Sequence, residues 1–111
     1  MVDEPYPEAI TSLPRVKLSL PGVKGWLAQG ESFQVVFFDI EPGASVPLHS
    51  HGAQFGFVID GEMMLTIGGE TKKYVRGDSY YIPADVEHGG EFLTPVRAMD
   101  FFADRDRYEP E

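Results

Sequence analysis

The sequence predicts an all-β fold, an antiparallel barrel or double-sheet jelly roll, on three observations. Apolar and β-branched residues recur in short runs with period-two alternation, glycine-bearing turn signals separate the runs, and no window of a dozen residues carries a helical stripe.

The runs follow in order. In VKLSL, Val16, Leu18 and Leu20 alternate with polar neighbours. FQVVFFDI, residues 33–40, is β-branched and aromatic and has the length of a buried strand. FGFVID, MMLTIGG, KKYVRG, SYYIP, EFLT and VRAMDFFA come next. Pro42 with Gly43, Asp60 with Gly61, Gly68 with Gly69, Gly77 with Asp78 and Gly89 with Gly90 supply turns between them. About eight to eleven strands then form one domain over residues 1–111, with a barrel core at about 33–103. Residues 1–12 and 104–111 are charged and proline-bearing, and are expected as terminal arms, exposed or laid over a sheet edge. Trp26, Phe33, Phe37, Phe38, Met63 and Met64 are expected in packing. Of Tyr80 and Tyr81, on opposite faces of one strand, at most one points inward.

Composition narrows the function classes. There is no cysteine, which removes disulfides, thiolate metal sites and a cysteine nucleophile. The net charge of −9 repels a phosphate backbone or an anionic bilayer, so neither nucleic acid nor membrane is an expected partner. An anionic small molecule stays compatible, because a metal and an arginine can invert the field locally. The start MVDEPYPEAI lacks the basic residues and apolar run of a signal peptide, and a cytoplasmic protein is the expectation.

Two of the three histidines, His49 and His51, stand with one serine between them in GASVPLHSHGAQ. On a strand, residues i and i+2 face one side, so the two imidazoles point together and Ser50 turns away. Gly52 and Ala53 let the chain bend towards Gln54, whose amide oxygen is a usable donor. His88 follows 37 residues after His51, at the end of GDSYYIPADVEH, and in a barrel it can face the pair across the lumen. His49, His51, Gln54 and His88 are thus the candidate ligands of one divalent transition metal. Imidazole suits nickel, zinc, manganese and iron alike. A neutral glutamine in place of a carboxylate leaves the site near about +2, which strengthens a Lewis acid and favours an oxygen-rich anion.

The last strand, VRAMDFFADRDRY, puts Val96, Ala98, Asp100 and Phe102 on one face. A carboxylate among apolar residues costs free energy unless it is paired or functional, which makes Asp100 a candidate base beside the metal. The DRDR run reads simply as a solvated tail, yet a carboxylate substrate needs a fork-shaped cation, and Arg105, with Arg107 as its substitute, is the candidate.

These residues carry a family resemblance. Gly43, His49, His51, Gln54 and Gly61 resemble the first cupin motif, and Gly77, Pro83 and His88 the second. Gln54 stands where glutamate is usual, and Asp85 where glycine is usual. The resemblance implies a double-stranded β-helix barrel, often dimeric, and here a homodimer is expected. Within cupins, the two histidine segments and the ending MDFFADRDRY are similar to the KdgF-type enzymes of pectin and alginate breakdown. That resemblance implies metal-dependent linearisation of a 4,5-unsaturated monouronate, with Asp100, Phe102 and Arg105 at the substrate. Two other classes compete: a small iron-dependent dioxygenase, and a non-catalytic metal-containing sugar-binding module.

Overall fold

A computed structural model describes residues 4–111; the first three residues of the expected N-terminal arm lie outside the described residues. Among the described residues, nine strands follow one short helix, α1 (Glu8–Thr11): β1 (Val23–Gln29), β2 (Gln34–Ile40), β3 (Ser45–His49), β4 (Gln54–Asp60), β5 (Glu62–Ile67), β6 (Glu70–Val75), β7 (Ser79–Ile82), β8 (His88–Phe92) and β9 (Val96–Phe102). They pair into a five-stranded sheet, β1-β2-β9-β4-β7, and a four-stranded sheet, β3-β8-β5-β6, antiparallel throughout. This is the jelly roll the alternation predicts. Val36, Phe38 and Ile40 on β2 point into the space between the sheets with Val96, Ala98 and Phe102 on β9 and Met63 and Leu65 on β5. None of the described helices is long and apolar enough to cross a membrane.

Three expectations are corrected. VKLSL is extended and keeps its inward alternation, but among the described residues it joins no ladder: isolated bridges from Arg15 to Trp26 and from Val16 to Pro110, with single backbone bonds from Val16 to Gly25 and from Lys17 to Glu109, tie this stretch to its neighbours. Its apolar residues close one side of a cavity rather than adding to a ladder. The strand β1, with Gly25 and Lys24 breaking its apolar run, was not anticipated. Gly89 and Gly90 are not a turn but the interior of β8. A side chain on Gly89 would press within 2.7 Å of the Val46 carbonyl oxygen, so glycine is what lets β3 approach β8.

The arms fold back on the barrel. Tyr6 packs edge-on against Trp26 and Phe37 and donates its hydroxyl to the Phe38 carbonyl at 2.6 Å. The C-terminal arm is clamped by Gln34, buried at 1% exposure, whose Nε2 donates to the Tyr108 carbonyl and whose Oε1 accepts from the Tyr108 amide, both at 2.9 Å. Beyond it the Lys17 amide donates to the Glu109 carbonyl and the Glu111 amide to the Arg15 carbonyl. The charged DRDR composition suggested a solvated tail; the buried Gln34 carboxamide overrides it by supplying a matched donor and acceptor. Outside this cover, Phe55, Phe57, Phe101 and Tyr81 stay exposed on the outer face of the five-stranded sheet.

Candidate metal centre

The three histidines meet at one end of the barrel. Register pairs His49 with His88 across β3 and β8, and their ring centroids lie 4.3 Å apart. His51 stands two residues beyond the end of β3, in the link to β4, with its ring 5.2 Å from that of His49 and 4.7 Å from that of His88. The link is held from both sides: the Asp85 amide donates to the His51 carbonyl, and the Gly52 amide donates to Asp104 Oδ2, each at 2.8 Å.

Local sequence aims each ring. Pro47 lies in edge strand β3, where the ladder slips between Val46 and His49. A proline is tolerated at such an edge irregularity, and the Pro47 carbonyl accepts from His49 Nδ1 at 2.8 Å. His51 Nδ1 donates to the Gly52 carbonyl at 2.8 Å, and His88 Nδ1 donates to the Val86 carbonyl at 2.9 Å. That last carbonyl is delivered by a tight turn in which the Val86 amide reaches back to Pro83 and Asp85 takes φ +66°. The left-handed conformation explains the glycine usual at this motif position, and aspartate is among the few other residues that tolerate it.

A carbonyl can only accept, so the hydrogen of each ring sits on Nδ1 and the lone pair on Nε2. The Nε2 atoms of His51 and His88 are 3.1 Å apart. Two lone pairs at that distance repel unless a cation lies against both. A proton is a poor candidate: burial, with the Arg107 guanidinium and the neighbouring imidazoles adding to it, pushes His51 down to about 4 despite the Gly52 carbonyl. Burial also lowers His88, helped by His49 and Arg107. One ring nitrogen from each histidine lies within 4.8 Å of the others, and the three form a group able to hold a metal ion. Backbone-oriented imidazoles offering Nε2 are the usual arrangement of histidine metal ligands.

The same cavity, about 500 Å³, is lined by Gln54, Asp100 and Phe102 as well as the three histidines. That volume suits a small-molecule ligand. Asp100, 2% exposed, accepts from Gln54 Nε2 at 2.9 Å and from the Tyr80 hydroxyl at 2.7 Å, both on Oδ1. Burial raises its carboxyl to about 6, and the two hydrogen bonds pull it part of the way back. Tyr80 is raised well above its ordinary value by burial and by the Asp100 charge. Phe102 sits with its ring 5.6 Å from His51 and edge-on to Tyr108.

Arg105 is the site residue the structure does not bring in. Its side chain is exposed and its carbonyl is tied to Gln29 Nε2 at 2.9 Å. Arg107 lines the cavity instead, its guanidinium 4.6 Å over the Tyr108 ring and its Nε buried without a partner among the described residues. The Gln34 clamp on Tyr108 decides this, because it fixes the tail one residue beyond Arg107. Sequence reasoning left open which of Tyr80 and Tyr81 faces inward; Tyr80 does, at 7% exposure against 58% for Tyr81. The roles of Tyr80 and Asp104 went unrecognised, since each depends on a long-range pairing.

Comparison with known proteins agrees with this fold. A family model described as "Cupin domain" matches residues 36–102. The structure of KdgF from Halomonas sp. is similar, with a TM-score of 0.74 and 25% identity over 83% of this chain and 88% of that one. Oxalate decarboxylase of Bacillus subtilis, an enzyme with Mn(II) centres, shares the fold at a TM-score of 0.75 and 23% identity, covering 86% of this chain and 28% of that one. Mannose-1-phosphate guanylyltransferase ManC of Salmonella typhimurium (strain LT2) is 38% identical over 61 residues, 53% of this chain, and the match spans only 13% of that protein.

Proposed function

Because the chain belongs to the cupin domain family, and because KdgF of Halomonas sp. is among its structural relatives, we propose that it opens the ring of a 4,5-unsaturated monouronate, giving the 5-keto-4-deoxy open-chain product. The observation that carries this reading is the convergence of three imidazoles, a buried carboxyl and a half-buried arginine, whose Nε is shielded from solvent, on one cavity. His49, His51 and His88 would hold the metal through Nε2, with Gln54 as the fourth ligand. When bound, a divalent ion supplies Lewis-acid polarisation of sugar oxygens.

The substrate is a cyclic hemiacetal, an enol ether and a carboxylate at once. Arg107 pairs with the carboxylate; its fork geometry suits two oxygens. Asp100 takes the proton of the anomeric hydroxyl. The bond between C1 and the ring oxygen breaks, C1 becomes an aldehyde, and the electron pair stays on the ring oxygen as an enolate at C5. The same proton then passes from Asp100 to C4, and the enolate becomes the ketone. No atom is gained or lost. A carboxyl raised to about 6 exchanges a proton readily in both directions near neutrality. Both of its protein hydrogen bonds fall on Oδ1, so Oδ2 is the oxygen free for this transfer among the described residues. Phe102 and Leu18 wall the cavity and keep bulk water from it.

The test is the ultraviolet absorbance of the unsaturated uronate, which disappears as C4 is saturated. Protein with metal should remove it, and chelator should stop the loss. Asp100→Asn should slow it by about 10²–10⁴-fold while metal stays bound. Full turnover by the asparagine variant, or consumption of oxygen in step with the sugar, would overturn the proposal.

A further inference from the structure

Gln54, Asp100 and Tyr80 come from three adjacent strands of the five-stranded sheet. Gly56 on β4 is in register with Tyr80 on β7 and with Asp100 on β9, and Gln54 is the inward residue one pleat along from Gly56. The tyrosine ring and the carboxyl therefore meet over a glycine. A methyl group on Gly56 would collide with both Asp100 Oδ1 and the Tyr80 ring. The room a side chain would fill is taken by this hydrogen-bonded group.

The bonds in it have a direction. Asp100 Oδ1 accepts from Gln54 Nε2 and from the Tyr80 hydroxyl. With Nε2 committed to the carboxylate, the amide oxygen Oε1 is the end left for the cavity that holds the three histidines. We infer that Asp100, itself steadied by Tyr80, is a positioning residue that turns the Gln54 amide so that oxygen rather than nitrogen serves the metal. It follows that Asp100 dictates the glutamine. A glutamate at 54 would set a second carboxylate against Asp100 Oδ1 in a buried site, in place of the amide that donates to it, leaving Asp100 the Tyr80 hydroxyl as its donor. A neutral amide is the side chain of that length that can give a hydrogen to Asp100 and an oxygen to a cation. This inference rests on the metal reading above for Gln54 as ligand; the exclusion of glutamate rests on the hydrogen bond alone.

Two measurements test it, both without substrate and at a pH above the titration of Asp100. The first is Ni²⁺ affinity by calorimetric titration of wild type, Asp100→Ala and Asp100→Asn. Asparagine keeps an oxygen that accepts from Gln54, whereas alanine frees the amide to rotate. Loss of an orienting partner costs about 10–100-fold in metal affinity, so the alanine variant should weaken by that factor and the asparagine variant should stay within about threefold of wild type. Alanine binding Ni²⁺ as tightly as wild type overturns the orienting role. Should Asp100→Ala not fold, Asp100→Leu takes its place, since it too removes the acceptor of the Gln54 amide and keeps the volume: weaker binding supports the role and unchanged binding overturns it. The second is the melting temperature of metal-free protein in a double-mutant cycle. Gln54→Glu should melt lower than wild type, and adding Asp100→Asn should restore it, since the asparagine amide then donates to the glutamate. A double variant no more stable than Gln54→Glu overturns the pairing rule. Wild type that takes up no Ni²⁺ removes the metal reading and the orienting role with it, while the stability cycle still decides the pairing.

Discussion

Nε2 of His51 and Nε2 of His88 face each other at 3.1 Å, with the hydrogen of each ring held at the opposite nitrogen by a backbone carbonyl. Bare, that contact is repulsive. A metal ion converts it into coordination, and purified protein should therefore carry near one equivalent of a divalent transition metal. His51→Ala should abolish retention. Removing metal with chelator should lower the melting temperature of wild type, because a ligand bound only by the native state stabilises it, and should leave that of His51→Ala unchanged. Elemental analysis and thermal melts read both. Equal metal content in the two proteins would place the ion elsewhere.

Arg107, not Arg105, should govern the affinity for an anionic sugar. The Arg107 Nε is buried and without a protein partner among the described residues, and a carboxylate is the group that would complete it. A hydrogen bond to a charged group contributes about 1.5–3 kcal/mol, so Arg107→Gln should lower kcat/KM for the unsaturated uronate about 10- to 100-fold. The loss should appear mainly in KM, since the carboxylate is charged in ground and transition states alike. Arg105→Gln should change neither constant by more than about twofold, as its side chain stands in solvent. The reverse pattern in steady-state kinetics would return the role to Arg105.

What the sequence reveals and what it hides follow one division. Alternation on β9 is a local signal, and it correctly sets Val96, Ala98, Asp100 and Phe102 on the buried face. The spacing of His49 and His51 is also local, and the rings do converge, although His51 lies past the end of its strand. Arg107 was harder because alternation stops with β9. Beyond it the chain runs where Gln34, 74 residues away in sequence, binds Tyr108. Tyr80 posed a choice between two faces that only its register with Gly56 resolves. Gly89 and Gly90 look the same in a turn as in a strand interior; the approach of the Val46 carbonyl distinguishes them, and no neighbouring residue encodes that approach.

Gly56→Ala should damage the site without touching a ligand. The added methyl meets Asp100 Oδ1 and the Tyr80 ring, and neither can retreat within a packed sheet face. Overpacking of this kind costs about 1–3 kcal/mol, readable as a shift in the urea midpoint. If the Asp100 group orients Gln54, metal affinity should fall as well. A variant as stable as wild type, with unaltered affinity, would mean the hydrogen-bonded group has slack to absorb a methyl.

The pH dependence of the metal-free protein should expose two opposed titrations. His51 falls from an ordinary 6.5 to about 4 on folding, and His88 shifts the same way. Between those values the unfolded chain binds more protons, so the histidine contribution is complete above 6.5 and is lost as pH falls towards 4. Asp100 moves the other way, from 3.8 to about 6, so its contribution is complete below 3.8 and is lost as pH rises through 6. Across the shared window of about 4 to 6 the two slopes oppose, and wild-type stability should vary only gently with pH. Asp100→Asn removes the carboxyl and keeps the shape. Its urea midpoint should therefore climb more steeply with pH through that window than that of wild type. Parallel curves for the two metal-free proteins would mean that the Asp100 carboxyl has the same proton affinity folded and unfolded, and that its burial is offset by Gln54 and Tyr80 alone.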